Sequence, residues 1–336
     1  MALLFFEGFD LYPTAGWTTG TFWTTDADTP PVLDTTNPRN GTRCLDMMPG
    51  GFGTDTIVRA VADTNIFGCG GAWRKTGALD SGNTGFGFVG SLSRVFISMD
   101  TNGRFVIKRG TTTILTGTGI YNNGIYNYVE MEYNAGAGTV TLRVNNAQEA
   151  TGPCTNIGVV SSFQAGRFAN PGLAGTLFLD DVIVWDGTGT MTNSFPGDTA
   201  VVLMMPTADT AEADWTPTPA GTGFSRIDNI PPDAAQYIEA TAVADISTFD
   251  VGDGPPSVFQ VLGVAHQFRA QKTSAGDGNM RGTLITPFGD APGANRVLVN
   301  GTYNSFQDIY ETDPNTGFPF DPADLAALQI SYERTL

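Results

Sequence analysis

The sequence predicts an all-β protein of two domains, and three observations predict it. Apolar residues recur at every second position in short segments separated by Gly, Asn and Asp, the spacing of half-buried strands. Glycine (42) and proline (20) are abundant while charged residues make up only 15%, a composition suited to tight turns and ill suited to long helices. The length, 336 residues, exceeds the roughly 250 at which a single core usually stops growing.

The elements follow in chain order. Residues 94–99 run into Asp100-Thr101-Asn102-Gly103 and continue as 104–108; Asn-Gly supplies the positive backbone angles of a tight hairpin. A second hairpin joins 126–133 to 139–144 through Asn134-Ala135-Gly136-Ala137-Gly138. Residues 176–185 close the region as a long strand, and Asp186-Gly187-Thr188-Gly189-Thr190 reads as the boundary between domains 1–189 and 190–336. Beyond it 200–205 restarts as an apolar strand and 209–232, rich in Pro, Thr and Asp, reads as an extended loop. Further strands are expected at 258–270, 280–287, 296–300 and 303–311. Asp321-Pro322-Ala323-Asp324 before Leu325 starts one short C-terminal helix: Asp caps, Pro fits the first turn, and a second Asp favours its positive end.

Charge narrows the function classes. The net charge is -17, which argues against nucleic acid or an anionic membrane as a partner. It is uneven: residues 1–190 carry 16 acids and 11 bases, residues 191–336 carry 18 acids and 6 bases. Three cysteines, Cys44, Cys69 and Cys154, lack Cys-x-x-Cys pairing and read as buried free thiols of a protein made in a reducing cytoplasm. The apolar run after Met1 is too short for a signal peptide or a membrane span.

In the first domain Phe6-Glu7-Gly8-Phe9-Asp10, the stretches 128–133 and 139–145, and Leu179-Asp180-Asp181-Val182-Ile183-Val184-Trp185-Asp186-Gly187 stand in an order that resembles the concanavalin A-like, laminin-G-like jelly rolls. The order continues with Asn193-Ser194-Phe195-Pro196-Gly197-Asp198, Asp214-Trp215-Thr216-Pro217, Ile230-Pro231-Pro232-Asp233 and Tyr310-Glu311-Thr312-Asp313-Pro314. In that order the chain resembles tailed-bacteriophage virion proteins that join such a jelly roll to a second β domain. The fold class implied is an N-terminal jelly-roll β-sandwich followed by a second β-sandwich with one short C-terminal helix. The function implied is that of a non-enzymatic virion component, a tail, fibre or capsid accessory protein. It is made in the host cytoplasm and works through other virion proteins, as a homo-oligomer for which a trimer suits, and through a host-surface glycan. Membrane insertion is not expected. The alternative is a lectin-like carbohydrate-binding module, and a glycan hydrolase ranks behind both.

The chemistry-bearing residues are few. Glu130 and Glu132 share one strand face and are spaced to bracket a glycosidic bond. Some jelly-roll glucanases carry a third acid on that strand; here Asn134 and Ala135 stand instead, and a solvated outer face is the expectation. His266 is the single histidine, placed mid-strand with no nucleophile partner, and is expected to pack or hydrogen-bond at a strand edge. The run Gly68 to Gly77 lacks the Gly-Lys-Ser/Thr of a phosphate loop and reads as a Gly-rich turn flanking a strand. The resemblance further implies a structural calcium where the first and last strands meet. Glu7 and Asp10 near the start and Asp180 and Asp181 near the end are its candidate donors, against the alternative of ordinary turn and edge acids. Alternation sends Asp180 and Asp181 to opposite faces, so only one of them is expected to point inward. Trp17, Trp23 and Trp73 are the candidates for stacking on a glycan, against packing on the core or on a neighbouring subunit.

Overall fold

The computed structural model describes residues 3–12, 22–25, 31–47, 55–78, 83–168, 174–189, 194–230, 232–252, 254, 260–275 and 278–336. The main division into two compact units falls between Val201 and Val202, so the first unit runs past residue 189, where its end was expected. The reason is that 194–201 is bonded back onto the first unit, as described below.

The first unit is a jelly-roll β-sandwich of two antiparallel sheets. Sheet one has, in order, Ala147–Pro153, Thr139–Val144, Asn127–Asn134, Ile66–Ala78, Ala174–Trp185, Cys44–Asp46 and Val32–Asp34, with Leu3–Glu7 also paired to Ala174–Trp185. Sheet two has Thr112–Thr116, Phe105–Arg109, Arg94–Met99, Thr84–Gly90, Val160–Arg167, Asp55–Ala60 and Thr24–Thr25. Both expected hairpins form: Ile97 lies opposite Ile107, and Met131 opposite Leu142. Alternation sends Val140, Leu142 and Val144 into the core while Thr139, Thr141 and Arg143 stay outside.

Aromatic rings fill the space between the sheets. Phe67 packs on Phe88 with centroids 5.3 Å apart, and Trp73 meets Phe105 edge-on at 5.6 Å. Edge-to-face contacts of this kind add about 0.5–1.5 kcal/mol beyond area burial. The Gly-rich run is not a turn: Gly68, Gly70 and Gly71 lie inside the central strand Ile66–Ala78. Their bare backbone makes room for bulky neighbours, since a Cβ at Gly68 would overlap the Trp185 indole and one at Gly70 would touch Glu130 and Tyr128. Gly68→Ala is therefore expected to destabilise the first unit by about 1–3 kcal/mol, read as a lower denaturant midpoint, because the buried indole has nowhere to shift. An unchanged midpoint would mean that the indole is free to move.

The second unit is built on a six-stranded sheet. Its order is Pro206–Ala213, Ile246–Val251, Gln329–Arg334, Asn279–Thr286 and Gly289–Pro292, with Arg296–Val297 also on Asn279–Thr286. Two ribbons accompany it, Thr216–Thr218 with Tyr237–Glu239 and Val264–Ala270 with Asn304–Tyr310. Residues 200–205 form no strand; the strand begins instead at Pro206 and runs to Ala213, into the segment expected as loop. The C-terminal helix is present as a six-residue 3-10 turn, Pro322–Ala327; the Asp321 side chain accepts from the Ala323 amide at 2.9 Å, and Leu325 is buried. Leu325 joins Phe320, Leu328, Leu284 and Val261 in one cluster, and Phe249, Phe268, Met280 and Tyr332 form another. No helix among the described residues is long and apolar enough to cross a membrane.

Candidate functional site

On Asn127–Asn134, Val129 and Met131 point into the core, so Tyr128, Glu130 and Glu132 stand on the outer face of sheet one. Around Tyr128 and Glu130 that face is not solvated. Glu130 has no exposed surface, and Tyr128 is buried with it, because residues 194–201 lie across them as a strap. The Gly197 amide donates to Glu130 Oε1 at 2.8 Å, Thr199 Oγ1 is hydrogen-bonded to the Tyr128 hydroxyl, and the Val201 amide donates to Asp181 Oδ1 at 2.8 Å. Phe195 meets Trp185 edge-on at 6.1 Å and lies 4.9 Å from the Arg143 guanidinium.

The aspartate doublet lies in the same face, and alternation fails there. Register against Ile66–Ala78 shifts between Asp180 and Ile183, and Asp181 has φ of +49°. One extra residue is accommodated as a bulge, a conformation Asp tolerates better than most side chains. Both carboxylates consequently reach residues 39 and 40. Asp180 accepts from the Arg39 amide at 2.8 Å and the Asp181 amide at 2.8 Å; Asp181 accepts from Asn40 Nδ2 at 2.6 Å and Arg39 Nη1 at 3.2 Å. The Arg39 guanidinium also holds the Asp198 carboxylate and the Thr199 carbonyl, the latter at 2.9 Å, and thereby ties strap to doublet.

Burial dominates the electrostatics. It pushes the Glu130 carboxyl up to about 7, against which the Gly197 amide and Arg143 pull down. Burial and then the adjacent Asp181 charge push Asp180 up to about 8. Desolvation also raises Asp181, opposed by the Val201 amide and Arg39, and raises Glu132. The three cysteines are free and buried, and burial pushes the Cys44 thiol up to about 12.

The expected calcium donors do not assemble into a cation site. Glu7 accepts from the Phe9 amide at 2.9 Å and from Trp23 Nε1 at 3.4 Å, and Asp10 closes the 41–43 turn by accepting from the amides of Thr42 and Arg43 at 2.5 and 3.0 Å. With Asp181 on a guanidinium, all four carboxylates answer N–H donors, the electrical opposite of what a cation requires. Among the described residues no group of three or more His, Cys, Asp or Glu side chains is arranged to hold a metal ion. The first and last strands do meet, Leu3–Glu7 on Ala174–Trp185, but their acids serve the fold.

The tryptophan candidates change role as well. Trp23 and Trp73 are each only 1% exposed, so neither offers a ring face to a glycan or a second subunit. Trp23 packs on Phe5 at 5.6 Å, and Trp73 fills the middle of the sandwich. Trp17 lies outside the described residues. In the second unit His266 is mid-strand but fully inside, and neither ring nitrogen has a hydrogen-bond partner.

Sequence reading missed Arg39, Arg143 and the strap. One signal for them was an acid doublet in a strand of otherwise apolar residues, since charges placed there need partners. Phe195 before Pro-Gly in a polar stretch was a second. Sequence reading also missed a row across sheet one, beyond the residues the strap engages. Arg74, Phe178, Asp46 and Val32 are cross-strand neighbours on the outer face. The Arg74 guanidinium lies 5.9 Å from the Tyr126 ring centroid and 5.8 Å from that of Phe178, and Nη1 donates to Asn37 Oδ1 at 2.7 Å. The Tyr126 hydroxyl is anchored on the Asn37 carbonyl at 2.5 Å, which fixes the ring.

No family model matches this chain, and no curated protein does. Solved structures similar to it include the cellulose-induced protein Cip1, at 15% identity over 53% of this chain and 89% of that one with a TM-score of 0.39. Domain 4 of AbnA, an extracellular GH43 arabinanase from Geobacillus stearothermophilus in complex with arabinotriose, has 14% identity over 55% and 93% with a TM-score of 0.41. Lectin II from Ulex europaeus has 13% identity over 54% and 97% with a TM-score of 0.37.

Proposed function

We propose that the chain is a non-enzymatic carbohydrate-binding protein that takes neutral glycans on the outer face of its first sheet. The observation that carries this reading is the half-buried pair of Arg74 and Tyr126, backed by the buried Phe178, with Thr76 and Thr176 paired two residues along on the same face. A flat guanidinium and phenol ring beside threonine hydroxyls suit a pyranose, which offers an apolar face and a rim of hydroxyls. The overall charge of -17 favours neutral over anionic sugars. The non-enzymatic part is supported by the strand of Glu130 and Glu132, on which Asn134 and Ala135 stand in place of a third acid.

Binding of neutral oligosaccharides, screened on a glycan array and measured by calorimetry, tests the reading. Arg74→Ala is expected to weaken binding by about tenfold, or ~1.4 kcal/mol, while circular dichroism stays unchanged. Absence of any bound glycan removes the function; binding that is indifferent to Arg74→Ala moves the site elsewhere.

A second reading, a bacteriophage virion component, is supported by the exposed edge strand Ala147–Pro153, whose unpaired backbone groups suit addition of another subunit. Light scattering that gives a monomer at all concentrations counts against it.

A further inference from the structure

Residues 194–201 form no regular secondary structure and are held by a short series of contacts. The Asp198 amide donates to Asn146 Oδ1 at 2.8 Å, and its carboxylate is on Arg39; Gly197, Thr199, Val201 and Phe195 contribute the rest. Beneath them only one Glu130 oxygen is answered. Oε2 has no hydrogen-bond partner, and the Arg143 guanidinium stands at 4.0 Å. A sealed carboxyl with one unanswered oxygen suits the neutral acid; once ionised it demands water that the strap shuts out.

We propose that residues 194–201 are a cover closed by protonation of Glu130, and that ionisation lifts it to open one face bearing Tyr128, Glu130, Arg143 and Trp185. The groups around Glu130 favour this. On its own strand Glu132 repels its ionised form, and burial keeps the Tyr128 phenol neutral. On Thr139–Val144 Arg143 opposes, from a distance that spares it a direct bond. From the strap itself Asp198 repels. Ile66–Ala78 presents Gly70 here, and its Cys69 thiol is kept neutral by burial. Two like charges and desolvation thus stand against one arginine and one amide.

The sign follows from linkage. The closed form holds the proton up to about pH 7, whereas a solvated glutamate releases it near 4.5. Closure is therefore tightest below about pH 4.5, weakens by up to about tenfold per pH unit towards 7, and is level above. All of these contacts lie within the first unit, and none of them involves Arg74, Tyr126 or Phe178.

Amide hydrogen exchange on the full chain tests it at Gly197 and Val201, after correction for the intrinsic pH dependence. Protection in the native protein is expected to fall at least tenfold between pH 5 and 7.5, and in Glu130→Gln, which keeps shape and acceptor but cannot ionise, to stay level. Parallel profiles for the two proteins overturn the proposal. A carbon-detected titration of the native Glu130 carboxyl needs no variant: a midpoint near 7 supports it, and one near 4.5 overturns it.

Discussion

The second unit is expected to lose about 3 kcal/mol of stability as pH falls from 6.5 to 4, and His266→Phe is expected to abolish most of that loss. The imidazole is 3% exposed and lies between Phe268 and Tyr332, each with its centroid 5.4 Å away. Gly282 sits against it so closely that a Cβ there would touch the ring. Across the ribbon stands Asp308, but its charge is taken by Arg296. Burial alone lowers the His266 pKa from 6.5 to about 4. In the unfolded chain the ring takes a proton near 6.5, so the unfolded state binds the proton first. Stability is complete above that pH and drains away until the folded ring also protonates, near 4. The shift sets the size at about 3 kcal/mol. Denaturant midpoints followed by hydrogen exchange in 264–334 would show a steep acid slope in the native protein and a shallow one in the variant. Equal slopes would assign the acid sensitivity to the carboxylates of the unit.

Local signals in the sequence were reliable where the physics is local. Asn102-Gly103 required its hairpin, and Asp321-Pro322 required a helix start whatever surrounds them. The helix nevertheless closes as a 3-10 turn, since only six residues separate its cap from Leu328, which is extended. The strand Gln329–Arg334 was missed although it lies between Ile246–Val251 and Asn279–Thr286 in the sheet. Its alternation, Ile330 and Tyr332 against Ser331 and Glu333, places only two apolar residues on one face, too few to be told from a tail.

The site was legible in its residues but not in its geometry. Asp180 and Asp181 were singled out, yet strict alternation would part them, and only the bulge brings both to Arg39 and Asn40. Glu130 and Glu132 were placed on the correct face, but the strap that seals it comes from residues more than sixty positions later. Which segment covers a face depends on tertiary closure, and period-two patterning is silent on it. Trp23 and Trp73 show the same limit from the other side: loop-like surroundings in sequence became the centre of the sandwich.

Arg39→Ala is expected to cost the first unit about 3–5 kcal/mol at pH 8, the range for breaking a buried ion pair from one side. The side chain bonds Asp181 Oδ2 at 3.2 Å and the Thr199 carbonyl at 2.9 Å, pairs with Asp198, and lies 5.6 Å from the Tyr128 ring centroid. Asp181 has no exposed surface, so loss of the guanidinium strands a charge that Asn40 and the Val201 amide answer only in part. Protonation relieves that charge. Asp181 already holds its proton more tightly than a solvated aspartate, and removal of Arg39 strengthens the hold. The cost should therefore shrink as pH falls towards 5 and return as it rises. Arg39→Lys keeps a charge but loses the fork that spans Asp181 and Asp198, and should fall between the two. The double variant Arg39→Met with Asp181→Asn separates charge from packing: with no ion left to strand, it should recover most of the loss. If Arg39→Ala costs the same at pH 5 and pH 8, and the double variant recovers nothing, Arg39 holds the strap by packing and hydrogen bonds to Thr199 rather than by its charge.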